Sequence, residues 1–188
     1  MNAYDFDQTI YRGDSTRDFL LHCAIRHPRA LLSLMGAVGA AISFLLGKKC
    51  KTDFKQRMFQ MFLYVSDMDS ELEIFWAQHM KCIKPFYMDQ KQPDDLIVSA
   101  SPDFLIRPAL ESIGITQIIA SQVDARTGQY HGSNCDGQNK VHMLKERMPN
   151  AVIDAFYSDS LSDTPMAERA KKAYLVKGDR ILPWPDPA

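Results

Sequence analysis

The chain carries no excess of either charge: 22 lysines and arginines stand against 23 aspartates and glutamates, a formal net charge of −1. That balance supplies no basic footprint for nucleic acid and no broad attraction to an anionic membrane surface. A small-molecule partner is expected instead. Cysteine is sparse, and Cys23, Cys50, Cys82 and Cys135 form neither a CxxC pair nor a compact framework. A disulfide scaffold is therefore not expected; each thiol reads as a small buried hydrophobe in a reducing, cytoplasmic setting. The opening residues place acids where a secretory signal would place a basic region and an apolar run, so no such signal is expected. Internal repeats and low-complexity tracts are also missing.

With 188 residues, 46% of them hydrophobic, the chain can bury one core and carry a sizeable insertion. A first strand and loop run from about Asn2 to Ile10, followed by a turn at Tyr11 to Thr16 that leads to a helix N-cap. A helix through Phe19, Leu20, Cys23, Ala24 and His27 stops at Pro28. From Ala30 to Gly47 eighteen residues carry no charge, with Arg26, Arg29, Lys48 and Lys49 at the two ends. Three glycines and two serines dilute this run, and one crossing would separate the strands on opposite sides of a bilayer, so a membrane span is not expected. A buried or homodimer-forming helical pair over 30–47 is the first expectation, and peripheral membrane contact is the second. Amphipathic helices are expected from Thr52 to about Tyr64 and from Asp69 or Ser70 to about Tyr87.

Beyond the turn at Asp89 to Asp94 the pattern changes. Leu96 to Ala100 is a continuous apolar run, the mark of a strand covered on both faces. Ser101-Pro102 opens a helix that Gly114 closes. Ile118 to Ser121 is a strand, Gln122 to Cys135 a small β-hairpin, Gln138 to Arg147 a helix, Ala151 to Tyr157 a strand, Thr164 to Lys172 a helix and Ala173 to Val176 a last strand. Leu182 to Pro187 is expected to be extended, with Trp184 packed back on the sheet. Strands alternating with helices imply an α/β fold, a doubly wound, Rossmann-like parallel sheet that binds ligands beyond the carboxyl ends of its strands.

Four features fall at those ends. Asp5 and Asp7 stand two apart at the end of the first strand, so alternation sends both to one side. Like charges that close are tolerable when a divalent cation lies between them and a substrate anion; alone they are more often solvated acids at a strand end. Ser99 and the Ala100 amide precede a helix N-terminus, a ready anion site. Lys140 occupies the first turn of a helix, where a cation is unfavourable unless an anion lies near. Asp159 and Asp163 follow the fourth strand. Together these amount to a phosphate site with a metal.

Asp-Phe-Asp-x-Thr at Asp5 to Thr9, Asp14-Ser15-Thr16, Ser99-Ala100-Ser101-Pro102, Lys140 and Ser-Asp-Ser-x-x-Asp-x-Pro-Met from Ser158 resemble, in order and spacing, the haloacid dehalogenase superfamily. The resemblance is to its phosphoserine-phosphatase-like branch (subfamily IB), with a helical cap after the first strand. It implies a catalytic core from residues 1–13 and 89–188, an all-helical cap from 14–88, and a Mg²⁺-dependent phosphomonoester phosphatase. Asp5 would be the nucleophile, forming an aspartyl-phosphate, and Asp7 the general acid and base. Ser99, Ala100, Lys140 and Thr9 would hold the phosphoryl group. Asp5, Asp7, Asp159 and Asp163 would serve the metal, and hard oxygen ligands without His or Cys favour Mg²⁺ over Zn²⁺.

Two departures bear on the substrate. Asp14 is one methylene shorter than the glutamate of phosphoserine phosphatases, and Met61 falls where their cap supplies an arginine, with Arg57 one turn away. Without that bidentate partner a substrate carboxylate is poorly held. The uncharged cap stretch is similar to that of bacterial phosphatidylglycerophosphate phosphatases, so a lipid-headgroup phosphate and a small phosphometabolite such as phosphoserine both stand as expected substrates. A non-catalytic module binding phosphate or a membrane partner through the cap is the alternative from another class. For Ser101 and Ser158, satisfying backbone groups is as good an expectation as binding a ligand.

Overall fold

A computed structural model describes residues 1–30 and 51–185. The elements in chain order are β1 (Asn2–Tyr4), α1 (Ser15–Arg26), α2 (Lys51–Phe59), α3 (Met68–His79), α4 (Pro85–Gln90), β2 (Leu96–Pro102), α5 (Asp103–Ser112), β3 (Gln117–Ser121), α6 (Gln138–Arg147), β4 (Ile153–Ser158), α7 (Thr164–Ala167), β5 (Ala170–Lys177) and β6 (Arg180–Pro183). The sheet order is β3-β2-β1-β4-β5-β6, parallel throughout except for the antiparallel β5–β6 pair. The α/β expectation holds. β1 lies at the centre, and the order reverses direction between β1 and β4, which makes its carboxyl end the switch-point crevice where such sheets bind ligands.

Alternation along the strands divides the core. Tyr4 and Ile97 face an aromatic cluster with Phe6, Tyr11, Phe19, Phe75, Trp76 and Tyr87, whereas Ala3, Leu96 and Val98 face Val141, Leu144, Ile153, Phe156 and Met166. β2 is thus buried on both sides, as its unbroken apolar run predicts. Between β1 and β2 the described residues form helices and short 3₁₀ turns. Asp14 caps α1 by accepting from the Arg17 amide at 2.8 Å. Buried Glu71 of α3 then ties the two helices together through His22 at 2.9 Å, Arg26 at 2.7 Å and His27 at 3.1 Å.

Several expectations need correction. The helix expected from Asp69 to Tyr87 is two helices, because Pro85 excludes the preceding residue from helical backbone: Lys84 is extended (φ −70°, ψ 138°) and Pro85 starts α4. The helix expected over Thr164 to Lys172 stops at Ala167, since Ala170 onward pairs with β4 and extends the last strand by three residues. β6 was not foreseen; it brings Trp184 to within 6.1 Å of Phe156, ring to ring, as the sequence predicts for that tail. The hairpin over 122–135 has one antiparallel bridge, Val123 to Tyr130, rather than a ladder, because Asp124 folds it into a turn by accepting from the Arg126 and Thr127 amides. The helical pair expected over 30–47 lies outside the described residues except for Ala30. Among the described residues no helix is long and apolar enough to cross a membrane.

The thiols of Cys23, Cys82 and Cys135 are free, Cys23 and Cys135 buried as expected.

Candidate active site

β1 ends at Tyr4, and the Asp5 amide donates to the Tyr157 carbonyl at 2.8 Å, pinning the next residue to β4. The chain then turns tightly. The Ile10 and Tyr11 amides both return to the Phe6 carbonyl at 2.9 Å, Gln8 adopts a left-handed φ of 58°, and its amide meets the Gly13 carbonyl at 2.8 Å. Asp5 and Asp7 therefore enter one cleft from a loop wound beyond the strand, not by strand alternation.

That cleft, of about 190 Å³, is lined by six carboxylates (Asp5, Asp7, Asp14, Asp136, Asp159 and Asp163) and two lysines (Lys55 and Lys140), with Ser99, Ala100 and Ser101 among its other walls. Lys140 is buried, and its Nζ donates to Asp5 Oδ1 at 2.6 Å and Asp163 Oδ2 at 2.7 Å. Ser158 donates to the same Asp163 oxygen at 2.7 Å. Asp163 thus holds Lys140, and Lys140 occupies one oxygen of Asp5. Asp7 is fixed separately: its Oδ1 accepts from the Ser15 amide at 2.7 Å, and its Oδ2 accepts from the Ser101 hydroxyl, which pairs with Thr16 Oγ1 at 2.8 Å.

Burial sets the proton affinities. It pushes the Asp5 carboxyl up to about 7, against the pull of Lys140. Asp7 rises to about 6 through burial and the charge of Asp14, opposed by its bonds from Ser101 and Ser15. Asp159 is raised by burial, opposed by Lys177. Burial favours a neutral Lys140, yet Asp5 and Asp163 outweigh it and hold the ammonium protonated, above its usual range. Excess carboxylate in one cleft, with no His or Cys among the described lining residues, fits a hard divalent cation, which would draw these pKa values down again. Among the described residues no three acidic, histidine or cysteine side chains already form a metal cluster, so a fitting ligand set needs backbone oxygen and water.

The predicted residues do not all converge. Thr9 is fully buried and does not line the cleft; its Oγ1 accepts from the Asp159 amide at 2.9 Å, joining the β1 and β4 loops. Arg57 lines neither the cleft nor the cavity beside it, whereas Met61 lines that second cavity and Asp14 lines both.

Ser101 and Ser158 both donate to site carboxylates, a role the sequence left open against backbone satisfaction.

Two features carried no sequence signal. Buried Lys84 donates to the Gln8 and Gly178 carbonyls, the latter at 2.6 Å, which a lone lysine before a proline does not announce. The 122–135 loop docks on the end of α2, with Tyr130 5.9 Å from Phe59, ring to ring. Gly128 (φ 70°) lies so near that a Cβ would fall 2.4 Å from the Phe59 carbonyl oxygen.

Residues 3–168 match the family described as haloacid dehalogenase-like hydrolase. A probable phosphatase of Mycobacterium tuberculosis is 30% identical over 99 residues, 47% of this chain and 33% of that protein; the chain thus matches about a third of that relative's length. The protein CicA of Caulobacter vibrioides is 27% identical over 196 residues, 96% of this chain and 85% of that one. A phosphoserine phosphohydrolase-like protein of Francisella tularensis shares the fold with a TM-score of 0.59 at 15% identity, over 92% of this chain and 86% of that one.

Proposed function

The chain belongs to the haloacid dehalogenase-like hydrolase family, and we propose that it is a Mg²⁺-dependent phosphomonoester phosphatase working through Asp5. The observation that carries this reading is the buried Lys140 bridge between Asp5 and Asp163, with Asp7 anchored independently in the same cleft. Lys140 takes Oδ1 of Asp5, which leaves Oδ2 to attack phosphorus. As the Asp5–phosphorus bond forms, the bond to the leaving oxygen breaks, and Asp7 gives that oxygen its proton. Water then yields a proton to Asp7 and attacks phosphorus, and the Asp5 carboxylate leaves. A proton affinity near 6 suits Asp7 to both transfers at neutral pH.

Ser99, the Ala100 amide and Lys140 hold the phosphoryl oxygens, and their alignment supplies much of the acceleration. Asp5, Asp159 and the Asp7 carbonyl would hold Mg²⁺, which when bound neutralises the carboxylates and polarises the phosphoryl oxygens. The proposed modular division is a core from 1–13 and 89–188 that carries the chemistry and a helical cap from 14–88 that covers it. Phosphoserine suits the site less well than a monoester without a carboxylate, since Asp14 is engaged by the Arg17 amide and Arg57 stands outside the lining. The test is phosphate release from an aryl phosphate with and without Mg²⁺. Wild type should require the metal, Asp5→Asn should fall to background, and Asp7→Asn should lose about 10²–10⁴-fold. Equal turnover by wild type and Asp5→Asn would remove Asp5 from the reaction.

A further inference from the structure

The cleft opens sideways between α1 and α2. A second cavity, of about 440 Å³, shares Asp14, Thr16 and Lys55 with it and is otherwise mostly apolar. Leu20 and Ala24, one turn apart on α1, form one wall; Met58 and Phe59 of α2 with Met61 form the other. The same helix sends Phe19 and Cys23 into the core, and Leu20 and Ala24, partly buried against that core, also border this cavity. Lys55 stands where the two cavities join, its Nζ 3.3 Å from the Ala100 carbonyl at the phosphate end of the cleft.

We propose that this second cavity receives the leaving group, and that the substrate class is a phosphate monoester of an apolar alcohol. The proposal rests on the phosphatase reading above and specifies its substrate. A ligand bridging the two spaces would keep its anionic end beside Lys140 and Lys55 and bury its hydrocarbon body between Leu20 and Met58. The volume lies in the ordinary range of small-molecule sites, which are mostly apolar with a few placed polar groups. An amino-acid leaving group would have to keep its ammonium and carboxylate at the charged residues Asp14, Arg17 and Lys55 and would leave the apolar walls unfilled, whereas moving those charges against the walls is costly. The continuity of the cavity with the cleft selects this occupant over a partner protein.

Calorimetry with hexylphosphonate and methylphosphonate, in Mg²⁺ buffer, reads the cavity without turnover. Each buried CH₂ is worth about fourfold in affinity, and ordering the chain takes back part of that, so hexylphosphonate should bind at least about tenfold tighter. Ala24→Phe, which fills the space, and Met58→Gln, which makes it polar, should each collapse that ratio toward one. Turnover of hexyl phosphate, methyl phosphate and phosphoserine is measured in parallel, and hexyl phosphate should have the highest kcat/KM. Equal affinity of wild type for both phosphonates, or a ratio unchanged in both variants, overturns the cavity assignment even when phosphatase activity is present. A chain-length preference abolished by the variants, but without turnover of any monoester, upholds the cavity and overturns the phosphatase reading.

Discussion

Ser101 couples Asp7, the proposed acid–base residue, to the end of β2. Its hydroxyl donates to Asp7, its amide donates to Ser99 Oγ at 3.1 Å, and Thr16 of α1 joins the chain. A donor to a carboxylate stabilises the charged form, so removing it raises the pKa. In Ser101→Ala the acid limb of the dephosphorylation step, where Asp7 must begin unprotonated, should move to higher pH. Single-turnover rates across pH check this; an unmoved limb would mean that Ser101 only braces the fold. The motif residues were legible as chemistry because carboxylates, a hydroxyl and a lysine at strand ends have few other reasons to gather. Thr9, which bonds the Asp159 amide outside the cleft lining, was not legible in the same way: a buried hydroxyl serves an amide donor as readily as a phosphate, and the type of residue does not reveal which.

At the scale of elements, the α1–α3 junction rests on one buried carboxylate. Burial raises the pKa of Glu71, but bonds from Arg26, His22 and His27 outweigh it and leave the group below its usual range. The sign follows. A depressed carboxylate contributes stability that is complete above its unfolded pKa and is lost as pH falls through the folded one. Glu71→Gln should therefore cost about 1.5–3 kcal/mol near neutrality, with a penalty that shrinks as pH drops below the unfolded carboxylate value of roughly 4.3. Urea midpoints of wild type and variant at neutral and acid pH test it; a penalty constant with pH would assign the loss to packing alone. Helix periodicity and Asp14 made α1 readable, and unbroken apolar runs did the same for β2. The early end of α7 was less so, because pairing of β5 with β4 overrides the local helical pattern; at Lys84-Pro85 the signal was local, the proline, and the apolar helical spacing before it concealed the break.

At the scale of the whole molecule, the two segments that lead into and out of the helical region are bonded to each other. The Arg12 amide donates to the Cys82 carbonyl and the Lys84 amide to the Ile10 carbonyl, both at 2.8 Å. The Lys84 ammonium adds its bonds to Gln8 and Gly178, although burial lowers its pKa. Lys84→Met should leave two carbonyls short of a donor, cost about 1–3 kcal/mol, and loosen the loop that carries Asp7. Hydrogen exchange of the Arg12 and Lys84 amides should quicken together in the variant while the β2 amides keep their rank; a uniform change across the sheet would deny Lys84 any local role.

The central position of β1 has a consequence for how the protein comes to assemble. Its three residues gain their second neighbour only from β4, more than 140 positions later in the chain. The lysine that meets Asp5 lies 135 positions downstream. A growing chain therefore leaves β1 with one edge open until β4 has emerged. Because the cleft needs both β4 and Lys140, fragments that stop before them should lack the site whatever portion of the helical region they contain.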